Sequence, residues 1–219
     1  MSSSVKIISY TNAPGTPEDK VLTDLIAYTA RVSNPSNQDN KATQDKLLKY
    51  LMKNQHWSPF EMVNVCMEIK TTRDIARQML RHRSFSFQEF SQRYAVANSF
   101  TLREARIQDT KNRQNSHDNL DIKLERDWLN KQQDLVDKAR ELYEWALENK
   151  IAKEQARAVL PEGLTNSTLY MNGTLRSWIH YIDLRIANGT QKEHREVAEK
   201  CLEQILSLIH ISEPTRPYW

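Results

Sequence analysis

The sequence predicts a domain of mixed secondary structure, in which a few strands and a larger number of helices share one core. Three observations point there: an apolar opening run at 5–10 (VKIISY), alternation of apolar and polar residues over 63–69, and 3.6-residue periodicity across most of what remains. A chain of 219 residues has room for one domain with its own core. The expected boundary is a single domain over 1–206. Residues 207–219 (SLIHISEPTRPYW) form an atypical tail with two prolines and no period, expected to lie outside the fold.

The run 5–10 reads as an opening strand, broken by a turn at Asn12, Ala13, Pro14 and Gly15. Thr16 can cap a helix that starts with Pro17, Glu18 and Asp19, buries Val21, Leu22, Leu25, Ile26 and Tyr28, and stops near Ser33. After the polar loop 34–40 comes a helix over 43–54 with Leu47, Leu48, Leu51 and Met52 as its apolar stripe. Val63, Val65, Met67 and Ile69 alternate with Asn64, Cys66, Glu68 and Lys70, which predicts a half-buried strand. A helix over 72–83 follows, and 84–97 and 100–119 have no clean period. The longest helical pattern covers 127–149, with Leu135, Ala139, Leu142, Trp145 and Ala146 on one face. A shorter helix at 151–160 ends at Pro161, and a Thr/Ser/Asn-rich connector leads to a helix over 174–187 stopped by Asn188 and Gly189. Thr190 and Glu193 make a capping box for a last helix to about Leu206.

Composition removes several function classes. No run of eighteen apolar residues exists, so no membrane span is expected, and the N-terminus lacks the apolar core of a secretory signal, so a cytoplasmic address is expected. Two cysteines, Cys66 and Cys201, make neither a disulfide framework nor a four-ligand metal site, and no metal is expected. Only four glycines are present, too scattered for a GxGxxG or Walker loop, so any bound nucleotide must be held by side chains.

Charge says where. Between Arg73 and Arg93 five arginines (73, 77, 81, 83, 93) stand against Asp74 and Glu89, a balance of +3 that equals the net charge of the whole chain. Excess charge confined to one short segment suits a small anion better than a nucleic-acid track. In that segment two guanidiniums, an imidazole and hydroxyls alternate with Phe85, Phe87 and Phe90, a set able to hold an oxyanion and offer ring surface to a planar partner. On a continued helix, Arg77 and Arg81 would project together, with Gln78 three residues before Arg81.

The segment RHRSFSFQEFSQR carries RHRxxxxxxxSxR, and in this it resembles the flavin-dependent thymidylate synthases at every fixed position. HWSPFE, the AR of AKEQARAVLP and a helix ending in DLR are similar to that family in the same order, from about Ala27 to Cys201. The resemblance implies the α+β class, with a twisted, mostly antiparallel sheet flanked by helices, and a homotetramer whose sites lie where subunits meet. It implies FAD held by Ser58, Arg81, His82, Arg83, Glu89, Thr174, Leu175, Arg176 and His180, with His56 nearby. The family often has asparagine where this chain has Thr174 and His180. It implies dUMP held by Gln78, Met79, Leu80, Arg81, Glu89, Phe90, Ser91, Gln92, Arg93, Arg157 and Arg185. The partners implied are small molecules: dUMP, methylenetetrahydrofolate as carbon donor and NADPH as reductant, with no nucleic acid.

Arg185 is the catalytic residue by the same resemblance: a guanidinium against the pyrimidine stabilises charge developing on N3 and O4, which enriches C5 without covalent attack. Neither Cys66 nor Cys201 has an activating neighbour in sequence, and both are expected to be structural. Plainer roles compete at several positions: an exposed arginine-rich helix end beside core aromatics for the 78–93 segment, a structurally packed ring for His56, a surface ion pair with Glu154 for Arg157, and a helix C-terminal dipole partner for Arg185. A nucleic-acid binder, and a flavoprotein without methyl transfer, are the competing functions.

Overall fold

The computed structural model describes residues 3–12 and 21–209. In chain order the elements are β1 (Ser4–Tyr10), α1 (Val21–Ala30), α2 (Gln44–Lys53), β2 (Asn64–Thr72), α3 (Arg73–Met79), β3 (Ser86–Glu89), β4 (Arg106–Gln108), β5 (Ser116–Asp118), α4 (Ile122–Glu148), α5 (Lys153–Ala156), β6 (Asn166–Thr174), α6 (Leu175–Ile186) and α7 (Lys192–Ile209). A four-stranded antiparallel sheet in the order β1-β2-β6-β3 carries the fold, so the α+β class and its antiparallel sheet are as expected.

The central pair is β2 against β6, in unbroken register from Asn64 opposite Thr174 to Thr72 opposite Asn166. Val65, Met67 and Ile69 of β2 and Leu169 and Met171 of β6 are fully buried, while Asn64, Lys70, Tyr170 and Asn172 are exposed. That one-sided burial is the period-2 pattern of a half-covered sheet. Trp178 and Ile182 of α6 and Val197, Ala198 and Cys201 of α7 complete the same core, joined by Ile26, Leu48 and Phe60. The Trp178 indole donates to the Val65 carbonyl at 2.9 Å, giving the buried N–H a partner.

Each central strand runs directly into a helix: Thr72 ends β2 before α3, and Thr174 ends β6 before α6, where its hydroxyl accepts from the Ser177 N–H at 3.1 Å. Because the strands are antiparallel, the two helices leave from opposite ends of the sheet. This arrangement sets the site.

The structure departs from the sequence expectations at several elements. The Thr/Ser/Asn-rich connector is in part the central strand β6; its inward positions Ser167, Leu169, Met171 and Gly173 are buried, but its small polar residues read as loop. Helix α3 stops at Met79 rather than Arg83, because the chain must turn to enter β3, and Phe85 is buried against Trp178 at a ring separation of 4.8 Å. Strand β3 and the hairpin of β4 and β5 were hidden in the two stretches without period. Helix α4 begins at Ile122, where the Asp121 carboxylate accepts from the N–H groups of Lys123 and Leu124. Its buried face is Gln132, Val136, Ala139, Tyr143 and Ala146; Leu135, Leu142 and Trp145, expected inside, are exposed.

The expected helix at 151–160 is the short α5 followed by a 3-10 turn, Arg157–Val159. Glu193 does not face Thr190 as a capping box would require, but pairs with Arg103 at 3.4 Å and accepts from Gln191. Helix α7 continues to Ile209, three residues past the expected end, because Leu208 and Ile209 pack on the core. The expected cap at Thr16 to Asp19, most of the turn at 12–15, and residues 210–219 of the tail lie outside the described residues.

Candidate active site

Residues 80–85, which hold the Arg81-His82-Arg83 triplet, form a tight turn with the His82 N–H donating to the Met79 carbonyl at 2.9 Å. The turn lies along α6. At one end the Ser177 hydroxyl donates to the Ser84 carbonyl at 3.3 Å, and at the other Arg185 Nε donates to His82 Nε2 at 3.0 Å. Between these anchors the His82 ring stands edge-on to Tyr181, 4.9 Å between centroids.

A glycine makes this docking possible. Gly173 lies beside Phe85, and a Cβ there would come within 2.7 Å of Phe85 Cε1, so only a residue without one lets the ring settle on β6.

Because Nε2 of His82 accepts from Arg185, its proton sits on Nδ1 and the ring is neutral. Burial and then the Arg185 charge hold its pKa down at about 4. On the two sides of His82 in sequence, Arg81 and Arg83 are exposed and make no hydrogen bond or ion pair among the described residues. Two free guanidiniums projecting from one turn are the donor set an anionic diphosphate needs, so the residues present fit a dinucleotide cofactor.

The same sheet end receives the HWSPFE segment. The Leu175 N–H donates to the Val63 carbonyl at 2.9 Å, Arg176 pairs with Glu61, and the Trp57 and His180 rings meet edge-to-face at 5.0 Å. His56 and Ser58 are exposed beside them. Of the residues expected around the flavin, the triplet, Ser58, His56, Thr174, Arg176 and His180 therefore gather at α6, whereas the Leu175 side chain is buried in the core.

Glu89 sits apart, on β3, where it accepts from the Ser167 hydroxyl at 2.9 Å and faces Arg73 at 3.4 Å.

The expected substrate residues fall into two groups. Gln78 and Arg185 flank the triplet turn, with Leu80 half-buried and Met79 fully buried beside them. Beyond the C-terminal end of β3, the Glu154 carboxylate faces Arg93 at 3.4 Å while its backbone carbonyl accepts from Arg157 Nε at 3.3 Å, which brings those two arginines together. The Ser91 hydroxyl accepts from the Arg93 N–H at 3.3 Å and keeps its own proton free to donate. Gln92 is buried, and Phe90 lines an open cavity of about 230 Å³ with Lys70, Ala97, Ser99 and Asn166. No hydrogen bond or ion pair among the described residues links the Arg93–Arg157 group to Arg185.

His194 and Tyr181, which no sequence motif marks, close the network behind the turn: His194 Nε2 lies 3.1 Å from Tyr181 Oη and Nδ1 3.1 Å from Gln78 Oε1. Burial, Arg185 and His82 together hold the His194 pKa down at about 3. Among the described residues no cluster of His, Cys, Asp and Glu could hold a metal ion.

Comparison with known proteins joins these features to one family. The thymidylate synthase complementing protein family matches residues 17–209. A probable flavin-dependent thymidylate synthase of Paramecium bursaria Chlorella virus 1 is 51% identical over 201 residues, 91% of this chain and 92% of its own length. The flavin-dependent thymidylate synthase of Synechocystis is 54% identical over 175 residues, 80% of each chain. This chain belongs to the flavin-dependent thymidylate synthase family. Among solved structures, the UMP/dUMP methylase PolB of Streptomyces cacaoi, bound with 5-Br dUMP, superposes with a TM-score of 0.79 at 25% identity, over 94% of this chain and 90% of that one. The family is one of enzymes, and the motif-bearing turn, the HWSPFE segment and the α6 residues all lie within the matched residues.

Proposed function

We propose that this chain converts dUMP to dTMP by reductive methylation, with FAD as cofactor, methylenetetrahydrofolate as carbon donor and NADPH as reductant, and with no cysteine nucleophile. The observation that carries the reading is the Arg185–His82 hydrogen bond: the guanidinium expected to activate the pyrimidine is tied by Nε to the middle residue of the motif expected to hold the flavin. Its two terminal nitrogens make no hydrogen bond among the described residues and are free to face a substrate. A guanidinium held there stabilises negative charge developing on N3 and O4 of uracil and enriches C5 electronically. When bound, the flavin supplies hydride chemistry, with electrons from NADPH and the one-carbon unit from the folate.

The remaining residues bind and orient. Arg81 and Arg83 supply unpaired positive charge for a diphosphate, and Ser91, Arg93 and Arg157 supply donors for the nucleotide phosphate. That no hydrogen bond or ion pair among the described residues joins the Arg93–Arg157 group to Arg185 supports a site completed by neighbouring subunits of a homotetramer. So does the exposed apolar stripe of α4, where Trp128, Leu135 and Leu142 recur every seven residues and Leu124 and Trp145 continue the line.

The thiols support a mechanism without sulfur attack. Burial pushes Cys201 far up and raises Cys66 as well, so neither is a thiolate near neutrality. A nucleic-acid role is disfavoured because Arg73 and Arg77 of the basic segment are neutralised by Glu89 and Glu162. No helix among the described residues is long and apolar enough to cross a membrane, which is compatible with the expected cytoplasmic address.

The test is tritium release from 5-tritiated dUMP by the yellow protein, with NADPH and folate present. Release retained after the double substitution Cys66→Ser and Cys201→Ala supports the proposal. Release lost in that variant while it stays folded and yellow contradicts it, as does NADPH oxidation without any dTMP.

A further inference from the structure

Helix α7 places His194 at its third residue with no surface exposed, and the role of that imidazole is not covered by the reading above. Its hydrogen bonds form one directed chain. Glu193, a carboxylate, can only accept, so Gln191 turns its Nε2 toward Glu193 Oε2 at 2.8 Å. That leaves Gln191 Oε1 as the acceptor for Gln78 Nε2, also at 2.8 Å. Gln78 Oε1 then points at His194 Nδ1, which must donate, and His194 Nε2 is left to accept the proton of the buried Tyr181 hydroxyl. The far end is anchored, since Glu193 faces Arg103 at 3.4 Å and Arg103 faces Asp74 at 2.9 Å.

A glutamine amide is ambidextrous: rotated by half a turn, it exchanges donor and acceptor at nearly the same positions. With Gln191 fixed as an acceptor by Glu193, only one orientation of the Gln78 amide is satisfied on that side, and the imidazole, donating from Nδ1, anchors the carbonyl oxygen on the other. One N–H and one lone pair of Gln78 remain for a ligand.

We infer that His194 is a positioning residue that, together with Gln191, holds the Gln78 amide in a single orientation, so that Gln78 presents a fixed donor and acceptor to the nucleotide. This rests on the proposed contact between Gln78 and dUMP. A neutral imidazole is required, because Nε2 must keep a lone pair for Tyr181, and burial among Tyr181, His82 and Arg185 keeps it neutral.

The test measures dUMP binding to the flavin-loaded protein by calorimetry in four variants: Gln78→Ala, His194→Asn, His194→Gln, and His194→Gln combined with Gln78→Ala. Asparagine places its amide nitrogen where Nδ1 stood and can still donate to Gln78; glutamine reaches the Nε2 position and serves Tyr181 only. Gln78→Ala should weaken binding about tenfold, His194→Gln about fivefold, and His194→Asn less than about twofold, on the scale of one lost hydrogen bond. The double variant should bind within about twofold of Gln78→Ala, since a positioning residue has nothing left to position.

Equal losses in His194→Asn and His194→Gln, loss of folded protein in both, or losses that add to Gln78→Ala would mean that His194 only fills the core, and would overturn the inference. Unchanged binding in Gln78→Ala would overturn it by a different route, removing Gln78 from the nucleotide site.

Discussion

Acid should loosen this protein earlier than its carboxylates alone would allow, because His82 and His194 are folded in as neutral rings. The sign follows from proton counts. Their folded pKa values, about 4 and about 3, lie below the unfolded value of 6.5, so between those limits the unfolded chain binds protons that the folded chain refuses. Stability from both rings is therefore complete above pH 6.5 and drains away as pH falls toward their folded values.

From pH 6.5 to 5, each fully buried neutral histidine costs about 2 kcal/mol, at about 1.4 kcal/mol per proton per pH unit. His194 is fully buried and carries that amount, while the partly exposed His82 contributes roughly half of it. A total of about 3 kcal/mol corresponds to a melting point lower by roughly 6–12 °C for a chain of this size. Thermal unfolding followed by tryptophan fluorescence at pH 7 and pH 5, at constant ionic strength, reads it directly. The window lies above the carboxylate range, and Glu104 and Asp109, both shifted down by their hydrogen bonds, titrate lower still. His194→Asn removes the larger contributor and should close about two thirds of the gap, in proportion to its share of the proton uptake. A gap of unchanged size in that variant would refute the claim that His194 is held neutral.

Two further outcomes follow from the geometry. Gly173→Ala should cost about 1–3 kcal/mol by driving a methyl into Phe85, seen as a lower melting point with weakened flavin retention, because the triplet turn rests on that ring. Leu135→Glu with Leu142→Glu puts charge on the exposed stripe of α4 and should split the proposed homotetramer, read as a drop in mass by light scattering; an unchanged mass would remove α4 from the proposed interface.

What the sequence made legible, and what it hid, divides along physical lines. Strand β2 was readable because Val65, Met67 and Ile69 alternate with polar residues, and the triplet was readable as a motif regardless of its conformation. Strand β6 was not, since Asn166, Ser167, Thr168, Asn172 and Thr174 are residues that turns also favour; its place between β2 and β3 is a tertiary fact. The face of α4 was misread because two apolar stripes run along it, and the one with more leucine and tryptophan is outside in the single chain. His194 gave no local signal at all, because its partners Gln78 and Tyr181 stand 116 and 13 residues away in sequence. The resemblance named side chains for the site, but only the fold showed that Arg185 reaches His82.

The central claim is that Arg185, tied to the triplet turn, activates the pyrimidine without covalent help. Substituting Arg185→Ala and measuring flavin absorbance and tritium release on the same preparation tests it most directly. The variant should stay yellow, with turnover down by about a hundredfold or more, the scale of losing one preorganised donor to developing charge. A variant that keeps both its colour and its turnover would contradict the account.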